Sequence, residues 1–347
     1  MPEATRRRRP VLRDERITLA HGAGGKATRD LVEALFLEEL GNEALASLGD
    51  SAVIAPLSGR LAFTTDSYVV RPLSFPGGDI GALAVHGTVN DLAVAGARPL
   101  WLSAAFVIEE GLPVSQLREL VASMAAAARR AGVAVAAGDT KVVERGKGDG
   151  LYVTTAGVGV LEHDLVLGPE RLRPGDRVLL SGTLADHGMA VMIARGDLEL
   201  EGDVSSDTAP VHELAGALLG LGDSLRWMRD PTRGGLATAL NELAAQSGLA
   251  VRLREDVLPV EPAVVAACEI LGIDPLYVAN EGKLVAVVAE DAAADALAAL
   301  RAHELGTAAV EIGAIEPEPE GMVLLDTALG GSRIVDLLVG DPLPRIC

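Results

Sequence analysis

Cysteine and aromatic residues are scarce in this chain of 347 residues. Its two cysteines, Cys268 and Cys347, are too few for a disulfide framework. They also form no Cys/His cluster with metal-ligand spacing, so we expect no zinc or iron–sulfur site held by this chain. Phe, Trp and Tyr make up only 3% of the residues, and the core must therefore be built mainly from Ala, Val and Leu.

Positive charge and long apolar runs are also lacking. The chain has 30 Lys and Arg against 49 Asp and Glu, a net charge of −19, which excludes a protein that coats nucleic acid or anionic membrane through bulk charge. No uninterrupted apolar run is long enough to span a bilayer. The run Arg6–Arg9 is followed by charged residues and no apolar segment of signal length. We therefore expect a cytoplasmic protein.

The composition that is present indicates a packed globular protein. Hydrophobic residues make up 49% and charged residues 23%, and the length suits two domains. Strand-like and helix-like segments are mixed in each half, which predicts an α/β (α+β) fold with two lobes. We expect a disordered basic start at 1–16, an N-terminal domain at 17–168, a C-terminal domain at 169–335 and a flexible tail at 336–347.

Two glycine-rich loops each precede a predicted helix. The first, Gly22–Lys26, comes before a helix expected to start near Thr28, and the second, Asp230–Gly235, comes before a helix expected over Leu236 to Ala245. Free backbone N–H groups and the positive end of a helix dipole make both plausible phosphate cradles. Neither matches the P-loop or the dinucleotide fingerprint, and simple loop geometry explains them equally well.

Five aspartates stand beside loops and at strand ends. Asp50 and Asp66 bracket a predicted hairpin whose first strand is Ala52 to Ala55. Asp91 lies in a long helical pattern from about Gly81 to Ala95, Asp139 follows directly after the predicted strand Val133 to Ala137, and Asp230 opens the second glycine loop. Carboxylates in such places suit Mg²⁺ bridging to phosphate oxygens. Each aspartate alone is more often a turn or N-cap residue.

The last residue, Cys347, carries a free thiol. Pro342 and Pro344 favour an extended approach to it. The thiol is therefore either an accident of the sequence or a reactive group carried on an arm.

Several strings of this sequence resemble the hydrogenase maturation protein HypE family. They occur in the family's order and cover roughly residues 17 to 347, and the terminal Cys after Pro-Arg-Ile is the specific element. The Asn-Asp and glycine-pair elements are shared with the wider aminoimidazole ribonucleotide synthetase (PurM-like) superfamily. The matching strings are His21-Gly22-Ala23-Gly24-Gly25, Phe63-Thr64-Thr65-Asp66-Ser67, Gly87-Thr88-Val89-Asn90-Asp91-Leu92-Ala93, Gly138-Asp139-Thr140-Lys141-Val142-Val143, Asp230-Pro231-Thr232-Arg233-Gly234-Gly235, Ala279-Asn280-Glu281-Gly282-Lys283 and Pro344-Arg345-Ile346-Cys347.

The resemblance implies an activity, a fold and partners. A HypF-type carbamoyltransferase would place a carbamoyl group on Cys347. This chain would use ATP and Mg²⁺ to dehydrate that group to a thiocyanate. The cyanide would then pass to iron on a HypC–HypD complex, for the nickel–iron hydrogenase centre. The superfamily resemblance also implies a PurM-like fold and a homodimer in which strands of the two N-terminal domains join into a shared barrel.

The resemblance also implies roles for individual residues. Glu281 is the candidate base, and Lys141 is the candidate group that polarises the carbamoyl group. Without the resemblance, Glu281 could be an acid in a helix or turn, and Lys141 a surface residue after a strand. The metal candidates are Asp50, Asp66, Asp91 and Asp230. The nucleotide-binding candidates are Gly22, Gly24, Gly25, Lys26, Asn90, Asp139, Thr140, Arg233 and Gly234.

Two rival interpretations remain. Another enzyme of the superfamily would share the aspartates. However, selenophosphate synthetase needs a reactive Cys or selenocysteine in the N-terminal loop, which here reads Gly24-Gly25-Lys26. A thiamine-phosphate kinase or purine-pathway synthetase has no use for a terminal thiol. A non-catalytic carrier that only presents Cys347 would need no nucleotide site.

Overall fold

The structure is a computed structural model that describes residues 10–48, 51–54, 57–196, 203–337 and 345–347. Its first half contains β1 Arg60–Tyr68, β2 Ser74–Phe75, β3 Gly78–Asp79, β4 Arg98–Glu109, β5 Ala134–Val143, β6 Leu151–Leu161, α1 Lys26–Leu31, α2 Leu37–Leu40, α3 Ile80–Val94 and α4 Val114–Arg130, with a π-helical turn Val32–Phe36 between α1 and α2.

The second half contains β7 Arg177–Leu180, β8 Leu225–Arg229, β9 Ala250–Arg254, β10 Val285–Val288, β11 Val310–Glu316, β12 Val323–Asp326, β13 Ser332–Ile334, α5 Asp186–Arg195, α6 His212–Leu219, α7 Gly235–Ser247, α8 Pro262–Leu271 and α9 Ala293–Arg301. Short 3₁₀ segments are Leu19–Gly22, Leu45–Ser47, Pro169–Arg171, Gly222–Ser224, Glu255–Val257, Pro275–Tyr277, Glu290–Ala292 and Glu304–Gly306.

A four-stranded sheet and two long helices form the first half. The strand order is β1-β6-β4-β5, antiparallel except for the parallel pair β4 and β5. Helix α3 begins where the Asp79 carboxylate accepts hydrogen bonds from the N–H groups of Gly81 and Ala82. It is apolar and buried over most of its surface because it lies between the sheet, α4 and the second half of the chain.

A seven-stranded sheet forms the second half. Its order is β13-β12-β9-β11-β7-β10-β8, and only β12 and β9 run parallel. The predicted two-lobed α/β (α+β) architecture is confirmed, and both sheets are open at their edges. None of the described helices is long and apolar enough to cross a membrane.

Two local predictions in the first half were wrong. The described part of the expected first hairpin strand, residues 52–54, forms no strand, and β1 pairs with β6. Strand β5 does not end at Ala137, because Gly138 continues the pairing with β4 and Asp139, Thr140 and Lys141 are strand residues. Asp50 lies outside the described residues.

Candidate active site

Acidic side chains from both halves of the chain meet around the end of β1. Alternation along β1 places Thr64 and Asp66 on the same side as the buried Tyr68, toward α3. The Thr64 hydroxyl donates to the Asp91 carboxylate on α3 at 2.8 Å. Asp230 follows β8 of the second half and is buried beside them.

Burial, and after it the repulsion between neighbouring carboxylates, raises the pKa values of this cluster. Burial, and after it the charge of Asp66, raises the pKa of Asp91. Burial and the charge of Asp91 raise the pKa of Asp230 to about 7. Burial, followed by the charge of Asp230, holds the pKa of Glu281 well above its usual range, and its Oε1 is buried without a hydrogen-bond partner among the described residues. The site therefore groups carboxyls whose charged forms are disfavoured, and the charge of Arg229 opposes the pKa shifts of Asp91 and Asp230 only in part.

The oxygen donors of this cluster, Asp66, Asp91 and Asp230, fit the chemistry of Mg²⁺. No group of three or more His, Cys, Asp or Glu within the described ranges is already arranged to hold a metal ion. In proteins Mg²⁺ usually binds one or two carboxylates and takes its other ligands from substrate phosphates and water.

The second glycine loop borders the cluster. Gly234 and Gly235 have φ values of +74° and +62°, and a Cβ on Gly235 would lie 2.5 Å from the carbonyl oxygen of Leu276. Only glycine tolerates both constraints, so the turn into α7 depends on this pair. The turn places the Arg233 guanidinium 3.9 Å from the sulfur of Cys347.

The C-terminal residues dock into this site. Ile346 is buried, and Cys347 is half-buried beside Arg233. Burial, and after it the charge of Glu281, raises the pKa of the Cys347 thiol to about 12, with Arg233 opposing the shift. The docked thiol is therefore neutral, and it lies close enough to the acidic cluster to sense Glu281 and Asp66.

The loop that carries Glu281 is fixed from two sides. The Asp207 carboxylate accepts hydrogen bonds from the N–H groups of Glu281 and Gly282, both at 3.1 Å, and is paired with Lys283 at 3.3 Å. From α3, Asn90 donates to the carbonyl oxygen of Glu281 at 3.1 Å. Sequence reasoning missed Asp207, since nothing in its local sequence distinguishes it from a loop acid.

Asn90 joins the two halves of the chain. Besides Glu281, its amide donates to the carbonyl oxygen of Ala209 at 3.1 Å and accepts from the N–H of Val211 at 2.8 Å. Both amide hydrogens are used in these backbone contacts. The structure thus gives Asn90 a role in positioning Glu281, and its contact with a nucleotide stays a prediction.

The remaining predicted site residues form a second group along β5. A Cβ on Gly22 would lie 2.5 Å from the backbone nitrogen of Val142, which places the first glycine loop against this strand. Lys26 at the start of α1 is paired with Asp30, and Lys141 with Asp139 at 2.7 Å. This group also contains the predicted site residues Gly24, Gly25 and Thr140.

Lys141 and Asp139 face away from the acidic cluster. They align with Val107 and Ala105 of β4, which alternate with the buried Phe106 and Ala104 on the helix-covered side. Strand β5 is also at the opposite edge of the sheet from β1, three strand spacings of about 4.8 Å away. A single chain therefore does not bring Lys141 to Cys347.

A cavity of about 270 Å³ lies beside this second group. Apolar side chains of the α1–α2 segment and β4 line most of it, including Val32, Phe36 and Phe106. Its edge is formed by Gly138, Asp139 and Thr140 of β5. Its size and lining suit a flat heterocycle such as a nucleobase.

Comparisons with known proteins agree with the fold described above. Family models for AIR synthase related protein match residues 48–161 (N-terminal domain) and 173–326 (C-terminal domain). The carbamoyl dehydratase HypE of Rhodobacter capsulatus is 55% identical over 340 residues, which is 97% of this chain and 100% of the relative.

Solved structures match as well. A crystal structure of hydrogenase maturation protein HypE in complex with ATP has a TM-score of 0.91 and 45% identity, and the match covers 95% of this chain and 99% of that one. A HypE–HypF complex has a TM-score of 0.78 and 46% identity, covering 90% and 100%. The family resemblance inferred from the sequence is confirmed, and the chain belongs to the carbamoyl dehydratase HypE family.

Proposed function

We propose that this chain dehydrates an S-carbamoyl group on its own Cys347 to a thiocyanate, using ATP, and so supplies the cyanide ligand for nickel–iron hydrogenase maturation. The observation that carries the proposal is the position of Cys347. Its thiol lies beside Arg233 and within the electrostatic reach of Glu281 and Asp66, where a group on the sulfur would enter the acidic cluster. A pure carrier would need no such site.

The chemistry requires activation of a poor leaving group. The carbamoyl oxygen attacks the γ-phosphate of ATP and releases ADP. The C–O bond then breaks, phosphate leaves with that oxygen, and both nitrogen protons are removed to give S–C≡N. Glu281 is the candidate acceptor for a nitrogen proton, because its carboxylate has a buried oxygen without a partner among the described residues. Arg233 stands where it can stabilise charge developing on the carbamoyl group.

Asp66, Asp91 and Asp230 are the residues that would hold Mg²⁺, which neutralises the triphosphate during phosphoryl transfer. The raised pKa values of Asp91 and Asp230 indicate that the cluster favours a positive partner. We place the adenine in the cavity between α1–α2 and β5, with Gly22–Lys26 toward the phosphates. Asp50, from the same predicted set, lies outside the described residues.

We also propose a homodimer formed through the uncovered face of the first sheet. Leu61 and Phe63 on β1 are 59% and 72% exposed, and an apolar strand face of this kind is typical of a subunit interface. Lys141 faces the same side. A polarising role of Lys141 therefore depends on a second copy that covers this face.

A HypF-type carbamoyltransferase and a HypC–HypD complex are the proposed partners that load the thiol and receive the cyanide, and the cytoplasm is the proposed compartment. The raised pKa of the docked Cys347 thiol keeps it neutral, and a neutral thiol is a poor nucleophile. This supports a cycle in which the thiol is loaded while undocked and the carbamoyl group reacts while docked. The tail must leave the site to be loaded.

The test follows the mass of the C-terminal peptide. The full chain is incubated with the carbamoyltransferase, carbamoyl phosphate and ATP, and we expect a carbamoyl adduct on Cys347 that then loses one water. Glu281→Gln should retain the carbamoyl adduct on Cys347, because its dehydration should be slowed by about 10²–10⁴-fold. The matched control is Glu269→Gln on the exposed side of α8, which should behave as wild type.

Two results would overturn the proposal. An adduct that persists on the wild-type chain with ATP present would leave only a carrier. The absence of any adduct on Cys347 would remove the carrier role as well.

A further inference from the structure

The last three residues are held by contacts from both halves of the chain. In the β5–β6 connection, Asp149 binds the Arg345 guanidinium at 2.8 and 2.9 Å, and Tyr152 donates to the same carboxylate at 3.0 Å. The backbone N–H of Arg71 and the guanidinium of Arg195 both donate to the carbonyl oxygen of Arg345, at 3.3 and 2.5 Å.

His187 on α5 provides a further contact. Its Nε2 lies 2.9 Å from the carbonyl oxygen of Ile346, and its Nδ1 lies 2.8 Å from the hydroxyl of Ser206. A carbonyl oxygen only accepts, so Nε2 carries the hydrogen and Nδ1 accepts from Ser206. The ring is fully buried and packs edge-on against Phe75, with the ring centres 5.3 Å apart. The contacts with Ser206 and Phe75 therefore fix the orientation of the ring without any contribution from the tail.

The tail adopts a backbone conformation that it would rarely adopt alone. Arg345 has φ +58°, in the left-handed region that is unfavourable for a non-glycine residue. This turn sends Ile346 into the core, where it is 4% exposed, and aims Cys347 at Arg233. The contacts around Arg345 and Ile346 must offset that cost.

We propose that Asp149, Arg195 and His187 form a sequence-selective binding site for a C-terminal peptide ending in Arg-Ile-Cys. Asp149 selects the arginine, and a buried apolar site selects the isoleucine. Arg195 and His187 hold the backbone, so that the terminal thiol always reaches the same position in the site. Because these contacts are made to the last three residues, the site also accepts such a peptide supplied in trans. The purpose of the site rests on the proposed function, but the binding itself does not require turnover.

The first test measures alkylation of Cys347 by iodoacetamide in the full chain. Asp149→Arg and Arg345→Asp should each raise the rate about tenfold or more, because the undocked thiol is exposed and loses the burial that raises its pKa. The double variant D149R/R345D restores the ion pair in reverse and should return the rate toward wild type. Cys268, buried with a pKa raised to about 11, reports whether the fold is intact in every variant.

The matched control is Glu162→Arg, which breaks the exposed pair between Arg98 and Glu162 at 2.8 Å and should leave Cys347 unchanged. Equal alkylation rates in the wild type and both single variants would overturn the proposal. So would a double variant that reacts as fast as the single ones.

The second test measures recognition in trans. A fluorescent peptide, Pro-Leu-Pro-Arg-Ile-Ser, is titrated into full-length R345D, whose own tail no longer competes. Saturable binding is expected, and it should weaken at least tenfold when aspartate replaces arginine in the peptide or when His187→Ala is added to the protein. Binding that ignores both changes, or no binding up to millimolar peptide, would contradict the proposal whether or not the chain proves to be a dehydratase.

Discussion

At the scale of single residues, burial decides the protonation states around the reacting thiol. Glu281 is 2% exposed and has four aspartates, Asp66, Asp91, Asp207 and Asp230, close enough to raise its pKa further. Burial, and after it the charge of Glu281, raises the pKa of the Cys347 thiol to about 12. The Cys347 thiol is therefore neutral in the docked state, and the charged form of Glu281 is disfavoured there unless a cation lies nearby. This arrangement suits a thiol that carries a substrate while other groups react.

Asn90 gives a prediction for stability. Asn90→Ala leaves the buried backbone groups of Ala209, Glu281 and Val211 without their side-chain partner, and we expect a loss of about 2–4 kcal/mol in the free energy of unfolding. Urea denaturation measures the loss. Dehydration should also slow, because Glu281 loses an anchor.

The control for this variant is Asn241→Ala on α7. The Asn241 amide also donates to two backbone oxygens, of Ala237 and Val335, but it lies in a half-buried site that water can reach. We expect a loss of about 1 kcal/mol there. Equal losses in the two variants would show that Asn90 has no special role in joining the halves.

The site residues could be predicted from sequence only where chemistry and motif coincide. Asp66, Asp91, Asp230, Glu281 and Cys347 were proposed together, and the structure brings them to one site. Their roles as ligands and base stay predictions. Lys141 and Asp139 belong to similar motifs but lie on the other face of the sheet, and side-chain direction depends on the strand register, which no local pattern revealed.

At the scale of elements, helices were predicted more accurately than strand ends. Helix α3 was expected over about Gly81 to Ala95 and is Ile80–Val94, since an apolar segment of that length with a capping aspartate has few alternatives. Strand β5 was expected to end at Ala137 but continues through Gly138 to Val143. A Cβ at position 138 would lie 2.8 Å from the carbonyl oxygen of Ala104. The close approach of the two strands therefore requires glycine within β5.

The uncovered face of the first sheet carries the prediction about assembly. Phe63→Glu places a charge in the proposed interface and should convert the homodimer to a monomer, with a mass of about 36 kDa by light scattering, in line with the 35.8 kDa chain. Ile270→Glu on α8 is the control, since Ile270 is similarly exposed, at 67%, but lies in the second half of the chain. A wild-type chain that is already monomeric, or an F63E variant that remains dimeric, would exclude this face as the interface.

At the scale of the whole molecule, the site exists only because the two halves pack together. Asp66 and Asp91 come from the first half, Asp230 and Glu281 from the second, and the docked tail contacts both. The mixture of strand-like and helix-like segments in each half of the sequence predicted two lobes. It could not predict their contact surface, which depends on polar residues such as His86 and Asn90 whose partners are more than a hundred residues away.

His86, on α3 at this contact surface, should make stability depend on pH. Its Nδ1 lies 3.1 Å from the Thr208 hydroxyl, and its Nε2 is buried without a partner among the described residues. Burial, followed by the charges of Arg130 and His212, lowers its pKa from 6.5 to about 3. Below pH 6.5 the unfolded chain therefore takes up a proton that the folded chain does not, and stability falls as the pH drops toward 3.

The size of this effect follows from the pKa difference. Between pH 7.5 and pH 5, His86 should lower the free energy of unfolding by about 2 kcal/mol. At pH 5 the solution is about 1.5 pH units below the unfolded pKa, and each unit contributes about 1.36 kcal/mol. His86→Gln and His86→Leu should both lack this loss relative to wild type, whatever their stability at pH 7.5. Urea denaturation at the two pH values gives the loss of stability for the wild type and for each variant. The difference between these losses is the His86 contribution. If both variants lose as much stability as the wild type, the proton must bind elsewhere, and the contact between the halves does not require a neutral His86.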